Sequence, residues 1–199
     1  MENSQHYIGV EGNITVNNPQ VNDGQSYAQV YVQNGEGEYA NSIATGWMSD
    51  GFKKTGCFND LCPGFVQTHG SIYLGSPISN VPVPGTLQKK SKISDSNYNW
   101  WLLIHKDAVG YYPREIVFDL IKSQSIGWGG NAAGPPNGAS FFANIKYRNE
   151  LNNTLNPERT HYNIIMDSPK YYELSYAGND DDELRFTFQF GGPGGQCAN

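Results

Sequence analysis

The chain has 199 residues and a formal charge of -6, from 13 Lys and Arg against 19 Asp and Glu. That is the size of one domain, and scattered cations with no basic stripe exclude nucleic acid, whose phosphates demand one. Charged residues at 16% beside 13% aromatic residues exclude disorder. No stretch nears the ~18 apolar residues of a membrane span, so no membrane partner is expected. The start, MENSQHYIGV, has neither a basic n-region nor an apolar h-region. The chain therefore reads as soluble and without a leader, or as a mature domain.

In chain order, the pattern predicts strands. Tyr7 to Val16 alternates apolar and polar residues and ends in the turn residues Asn17-Asn18-Pro19. Tyr27 to Val32 is β-branched and aromatic, and Asn34-Gly35 after it is a hairpin signal. Further short strands are expected at Gly64 to Gln67, Ser71 to Leu74, Trp100 to Ile104, Asn144 to Arg148, His161 to Met166 and Leu184 to Phe190. One helix is expected from Pro113 to about Ser123, with apolar residues at 117, 120 and 121 and Pro at its start. Pro77 to Ser96 and Gly129 to Gly138 read as long connections, and Asn179 to Asp182 as an acidic solvated turn. Together these predict a single all-β domain over residues 1–199, an antiparallel two-sheet β-sandwich with one short helix.

Few residues carry chemistry on their own. Cys57 and Cys62 can close a small disulfide loop over the turn residues Asn59-Asp60, or form half of a zinc site. The other candidate ligands, Cys197, His6, His69, His105 and His161, show no paired spacing, so the disulfide is favoured, with no metal and no cofactor. Such a bridge argues for an oxidising compartment and leaves Cys197 unpaired or joined to another chain. Two N-x-[ST] sequons, at Asn13 and Asn152, are compatible with secretion. No histidine sits beside a serine in a nucleophile-elbow setting. Trp47, Trp100, Trp101 and Trp128, with Tyr111 and Tyr112, can line a groove for a peptide or sugar or can fill the core; both readings stay open. Gly129-Gly130 and the run from Gly191 to Gly195 lack the Lys-Ser/Thr of a phosphate loop and read as turns or close approaches.

Several strings occur in an order that resembles the neprosin domain of plant proteins: YIGVEGNITVNNPQV, AQVYVQNG, NSIATGW, NWWLLI and the terminal FQFGGPGGQC. The most specific are TGC-x4-C-x-GFVQ from Thr55 to Gln67, GY-x-P from Gly110 to Pro113, and WGG from Trp128 to Gly130. The resemblance spans Tyr7 to Cys197. It implies a β-sandwich related in architecture to glutamic peptidases, secretion, and endopeptidase activity after proline at acidic pH without a metal. It further implies two glutamates, one from each sheet, of which one is ionised to activate water while the other supports the oxyanion and leaving group.

Both family glutamate positions are substituted here. The segment N-x-I-E-A-G-W reads Asn41 to Trp47 with Ala44 in place of the acid, and W-G-G is followed by Asn131. Asn131 can still donate a hydrogen bond to an oxyanion, whereas Ala44 has no group to offer. A removed general base forfeits about 10²–10⁴-fold in rate. The nearest upstream acids, Glu36 and Glu38, fall in the predicted hairpin loop. Trp47 also runs almost directly into Ser49-Asp50-Gly51, where the family has a further strand and loop. Cys57 and Cys62 match the family's short disulfide, but the usual partner of Cys197 falls near Tyr171, so the second bridge is absent. The resulting expectation is an extracellular pseudoenzyme that binds a proline-containing peptide or protein through Trp47, Trp128, Gly129, Gly130 and Tyr111, with hydrolysis lost or weak. The alternatives are an active post-proline endopeptidase using another carboxylate, a gene reading that has lost an exon after Trp47, and a carbohydrate-binding module.

Overall fold

The computed structural model describes residues 5–17, 26–48, 64–78, 88–131, 140–158, 162–167, 169–170, 173–178 and 186–192. Twelve strands run through these residues: β1 Tyr7–Thr15, β2 Tyr27–Asn34, β3 Asn41–Met48, β4 Val66–Gln67, β5 Gln88–Ser96, β6 Asn99–Ile104, β7 Asp107–Tyr112, β8 Ser125–Asn131, β9 Ser140–Asn149, β10 Thr154–Leu155, β11 Glu173–Gly178 and β12 Thr187–Gly191. They build a nine-stranded antiparallel sheet, ordered β11-β12-β9-β1-β5-β6-β7-β4 with β10 on β9, and a three-stranded sheet, β3-β2-β8. The all-β sandwich is thus as predicted.

Alternation decides which side of each strand faces the interior. In β2, Ala28, Val30 and Val32 are fully buried while Tyr27, Gln29, Tyr31 and Gln33 between them are half-buried. Val10 and Ile14 of β1, Ile93 of β5, Trp100 and Leu102 of β6, and Phe142 and Ile145 of β9 meet them from the larger sheet. Each such side chain contributes about 1.5–3 kcal/mol by leaving water. Phe142 stacks on Phe188, with centroids 4.6 Å apart and planes 5° from parallel, which extends the core toward β12.

The expected helix does not form. Between Pro113 and Ser123 the backbone makes successive three-residue turns, Ile116 N–H to Pro113, Val117 to Arg114, Leu120 to Val117 and Ile121 to Phe118, with a single 3-10 turn at Phe118–Leu120. Val117 (φ -122°, ψ 36°) interrupts any continuous helix. The Leu120 carbonyl instead accepts from the buried Trp100 indole at 2.6 Å. The apolar spacing in this segment serves tertiary anchoring, and no i→i-4 ladder is present.

Other boundaries shift. Only Val66–Gln67 of the expected 64–67 strand pairs, with Tyr111 and Gly110. Ser71 to Leu74 is a loop, held by the Gln67 amide, which donates to the Ile72 and Val109 carbonyls at 2.7 and 3.0 Å. Residues 162–166 carry no strand, and β12 begins at Thr187. Conversely, β5 crosses what reads as a long connection, and β8 runs through Trp128-Gly129-Gly130, which reads as a turn. Cys57, Cys62, Cys197, Tyr171 and the acidic run 179–182 lie outside the described residues.

Candidate functional site

Ala44 and Asn131 lie on the same sheet, so the expectation of one acid position per sheet is corrected. β2 pairs Tyr31 with Ala44 on one side and with Gly127 on the other. Four residues along, Tyr27 pairs with Met48 and with Asn131. Directly opposed residues share a face, and a step of four residues keeps that face. Both positions therefore look outward, away from the core, on the side that carries Tyr27, Gln29, Tyr31 and Gln33. Ala44 is exposed and Asn131 half-buried.

Two strands and four residues separate the pair, which at ~4.8 Å per strand and ~3.3 Å per residue puts their Cα atoms about 16 Å apart. Side chains on one face of a sheet stand roughly perpendicular to it, so groups at the two positions project side by side at about that spacing. By the register, the outward positions of this sheet from Ser42 to Gly46, Tyr27 to Gln33 and Ser125 to Asn131 hold no carboxylate. Glu36 and Glu38 are exposed in the hairpin loop beside Asn34 and Asn41, at the end of the sheet remote from Asn131.

Small residues shape the trough around the tyrosines. At Gly127 an added Cβ would lie 2.4 Å from the Tyr31 ring, so that ring lies over the glycine. Gly129 opens to free space on the same face. Gly46 lets β3 approach β2 closely: a Cβ there would sit 1.8 Å from the Ala28 carbonyl oxygen.

The indoles expected to line a peptide groove point the other way. Trp47 is 9% exposed, belongs to the core and donates from Nε1 to the Thr15 carbonyl at 2.8 Å. Trp128 packs against the core and donates to the Glu11 carbonyl at 2.9 Å, beside the register irregularity of β1 and β9 between Glu11 and Asn13. Both bonds tie the small sheet to β1. Gly130 also turns inward, where a Cβ would lie 2.8 Å from Phe190. Tyr111 stands on β7 in the other sheet, against Trp101. Of the five residues expected to contact peptide, only Gly129 faces the trough. Tyr27, Gln29 and Tyr31 take the central place, which the alternation of β2 could have signalled had β3 and β8 been recognised as its neighbours.

His69 serves local structure: its Nδ1 accepts from the Ser71 and Ile72 amides at 3.1 and 3.0 Å. Among the described residues no three His, Cys, Asp or Glu side chains gather as a metal site, and no helix is long and apolar enough to cross a membrane.

A family model described as Neprosin matches residues 45–139. The matched stretch begins one residue after Ala44 and includes Asn131, Cys57 and Cys62. It bears out the resemblance carried by the TGC-x4-C-x-GFVQ, GY-x-P and WGG strings.

Proposed function

We propose that this chain, whose residues 45–139 match the Neprosin family model, is a peptidase-like receptor. The outward trough of the three-stranded sheet holds an extended proline-containing polypeptide and does not hydrolyse it. The family is one of peptidase-like domains, so a peptide is the class of ligand this face is built for. Tyrosine rings offer proline a flat apolar surface at low entropic cost, and Tyr31 and Tyr27 are spaced along the middle of the trough. Secretion, a plant source and a Cys57–Cys62 bridge belong to the same reading and rest on the family resemblance.

The observation that carries the proposal is the shared face of Ala44 and Asn131. Side chains at these two positions project from one surface, and neither residue present carries a carboxyl group. The test is a labelled synthetic peptide with proline at every third residue, followed by fluorescence anisotropy for binding and mass spectrometry for cleavage at pH 4. Binding that weakens in Tyr31→Ala, with the peptide intact, supports the proposal. Cleavage after proline that persists on repurification, or absence of binding, overturns it.

A further inference from the structure

The outer face of the nine-stranded sheet presents a second surface of different chemistry. Its side chains follow from the register: Ala108, Leu103, Lys92, Glu11 and Lys146 form one row across β7, β6, β5, β1 and β9. Tyr111, Trp101, Ser94, Gly9 and Arg148 form the next. A groove of about 310 Å³ runs over these rows and is lined by Lys92, Ser94, Ser96, Asn99, Trp101 and Leu103 among others. That volume is at the lower end of small-ligand sites.

Trp101, Leu103 and Ala108 give the groove an apolar lining, with Lys92, Ser94, Ser96 and Asn99 as its polar positions, and Tyr111 packs against Trp101. Trp101 and Tyr111 lie with centroids 4.7 Å apart and planes inclined by 38°. Both are half-buried, unlike Trp100, whose indole is spent in the core. Around them stand serine hydroxyls and asparagine amides, which can both donate and accept. β5 is paired on both sides, with β1 and β6, and β6 with β5 and β7. The backbone groups here are taken up by the ladders, so no strand edge is offered to an extended peptide. A ligand must be held through side chains.

Charge narrows the class of ligand. On a chain of net charge -6, these two rows carry Lys92, Lys146 and Arg148 beside Glu11, and the Asp95 carboxylate lies close enough to Arg148 to feel its charge. Lys92 Nζ is 3.4 Å from Glu11 Oε2. The Arg148 stem lies against Gly9, where a Cβ would come within 3.3 Å of Arg148 Cβ. Its guanidinium donates to Ser94 Oγ at 2.6 Å and, from Nε, to Asn152 Oδ1 at 2.7 Å. Within these two rows three basic groups thus accompany one acidic one, Glu11.

We propose that this face binds an acidic polysaccharide, a chain of pyranose rings carrying uronate carboxylates. A ring stacks on Trp101 and Tyr111, hydroxyls meet Ser96 and Asn99, and a carboxylate is drawn to Lys92. This surface lies on the opposite sheet from the tyrosine trough, and the proposal does not depend on the peptide-binding reading.

The experiment compares a polygalacturonate oligomer, a neutral cello-oligosaccharide and the proline-rich peptide by calorimetry at low and physiological salt. Polygalacturonate is expected to bind, to weaken with salt, and to lose about tenfold in affinity in Trp101→Ala. Trp101→Phe, which keeps a flat ring and guards against misfolding, is expected to retain most of the binding. Lys92→Gln is expected to flatten the salt dependence, and Tyr31→Ala on the opposite sheet to change nothing. Equal affinity for the neutral glycan, indifference to both Trp101 and Lys92, or peptide binding that depends on Trp101 would each overturn the proposal.

Discussion

Trp47 Nε1 donates to the Thr15 carbonyl at 2.8 Å, and that bond joins an edge strand of the small sheet to the centre of the large one. Trp47 is here a fastener between layers. Trp47→Phe keeps most of the ring volume but leaves the buried carbonyl without this donor, at a cost of about 1–3 kcal/mol. Trp47→Ala adds a cavity and costs about 3–5 kcal/mol. Urea unfolding checks both. A role in ligand contact instead would leave stability unchanged and lower peptide affinity.

Restoring the acid pair tests whether the trough is an emptied cleft. The Ala44→Glu, Asn131→Glu double variant is expected to cleave a proline-rich peptide at pH 3 to 5, while each single variant stays inactive within the assay. Two acids across one water act as a unit, so their effects do not add. A folded double variant with no turnover would show that groups at the two positions do not act on one water.

Gly46 bears on how closely β3 and β2 approach. A Cβ at 1.8 Å from the Ala28 carbonyl cannot be relieved by rotating a flexible side chain, because the obstacle is backbone. Gly46→Ala is therefore expected to cost about 3 kcal/mol, read as a lowered thermal midpoint. Gly129→Ala, with open space around it, is the control and should be far milder.

Asp95 gives the stability a pH dependence of unusual sign. Burial pushes its carboxyl above the ordinary range, against the opposing pull of the Tyr98 amide and Arg148, and its Oδ1 is buried without a hydrogen-bond partner. The folded chain thus holds this proton more tightly than the unfolded chain does. Stability from this group is lost as pH rises from the unfolded value through the folded one, and is recovered as pH falls back through that range. Asp95→Asn, which carries no ionisation penalty, is expected to raise the thermal midpoint at pH 7 relative to the parent. The advantage should shrink as the buffer is taken down through the carboxylate range. An advantage independent of pH would rule out ionisation as the cause.

Strands that alternate strongly were legible from residue order. β1, β2 and β6 each place apolar residues at every second position over an inner face, and period two survives whatever packs against it. β5 was hidden because Gln88 to Ser96 has one buried apolar residue, Ile93, amid Lys, Ser and Asp. It is held by pairing on both sides, which local composition does not report. β8 was read as a turn because its glycines resemble punctuation. Two of them instead make room for neighbours, Gly127 for the Tyr31 ring and Gly130 for Phe190. In the 113–123 segment helical spacing arose from side chains reaching the core out of separate turns.

Residue order alone determined that the chain is β-rich and which family it resembles, because identity and period are local properties. Only the tertiary structure decided that Ala44 and Asn131 share one outward face, that Trp47 and Trp128 turn inward, and that Trp101 stands beside Lys92 and Arg148 on the far side. Those relations depend on which strands pair and in what register, and a shift of one residue would exchange the two faces.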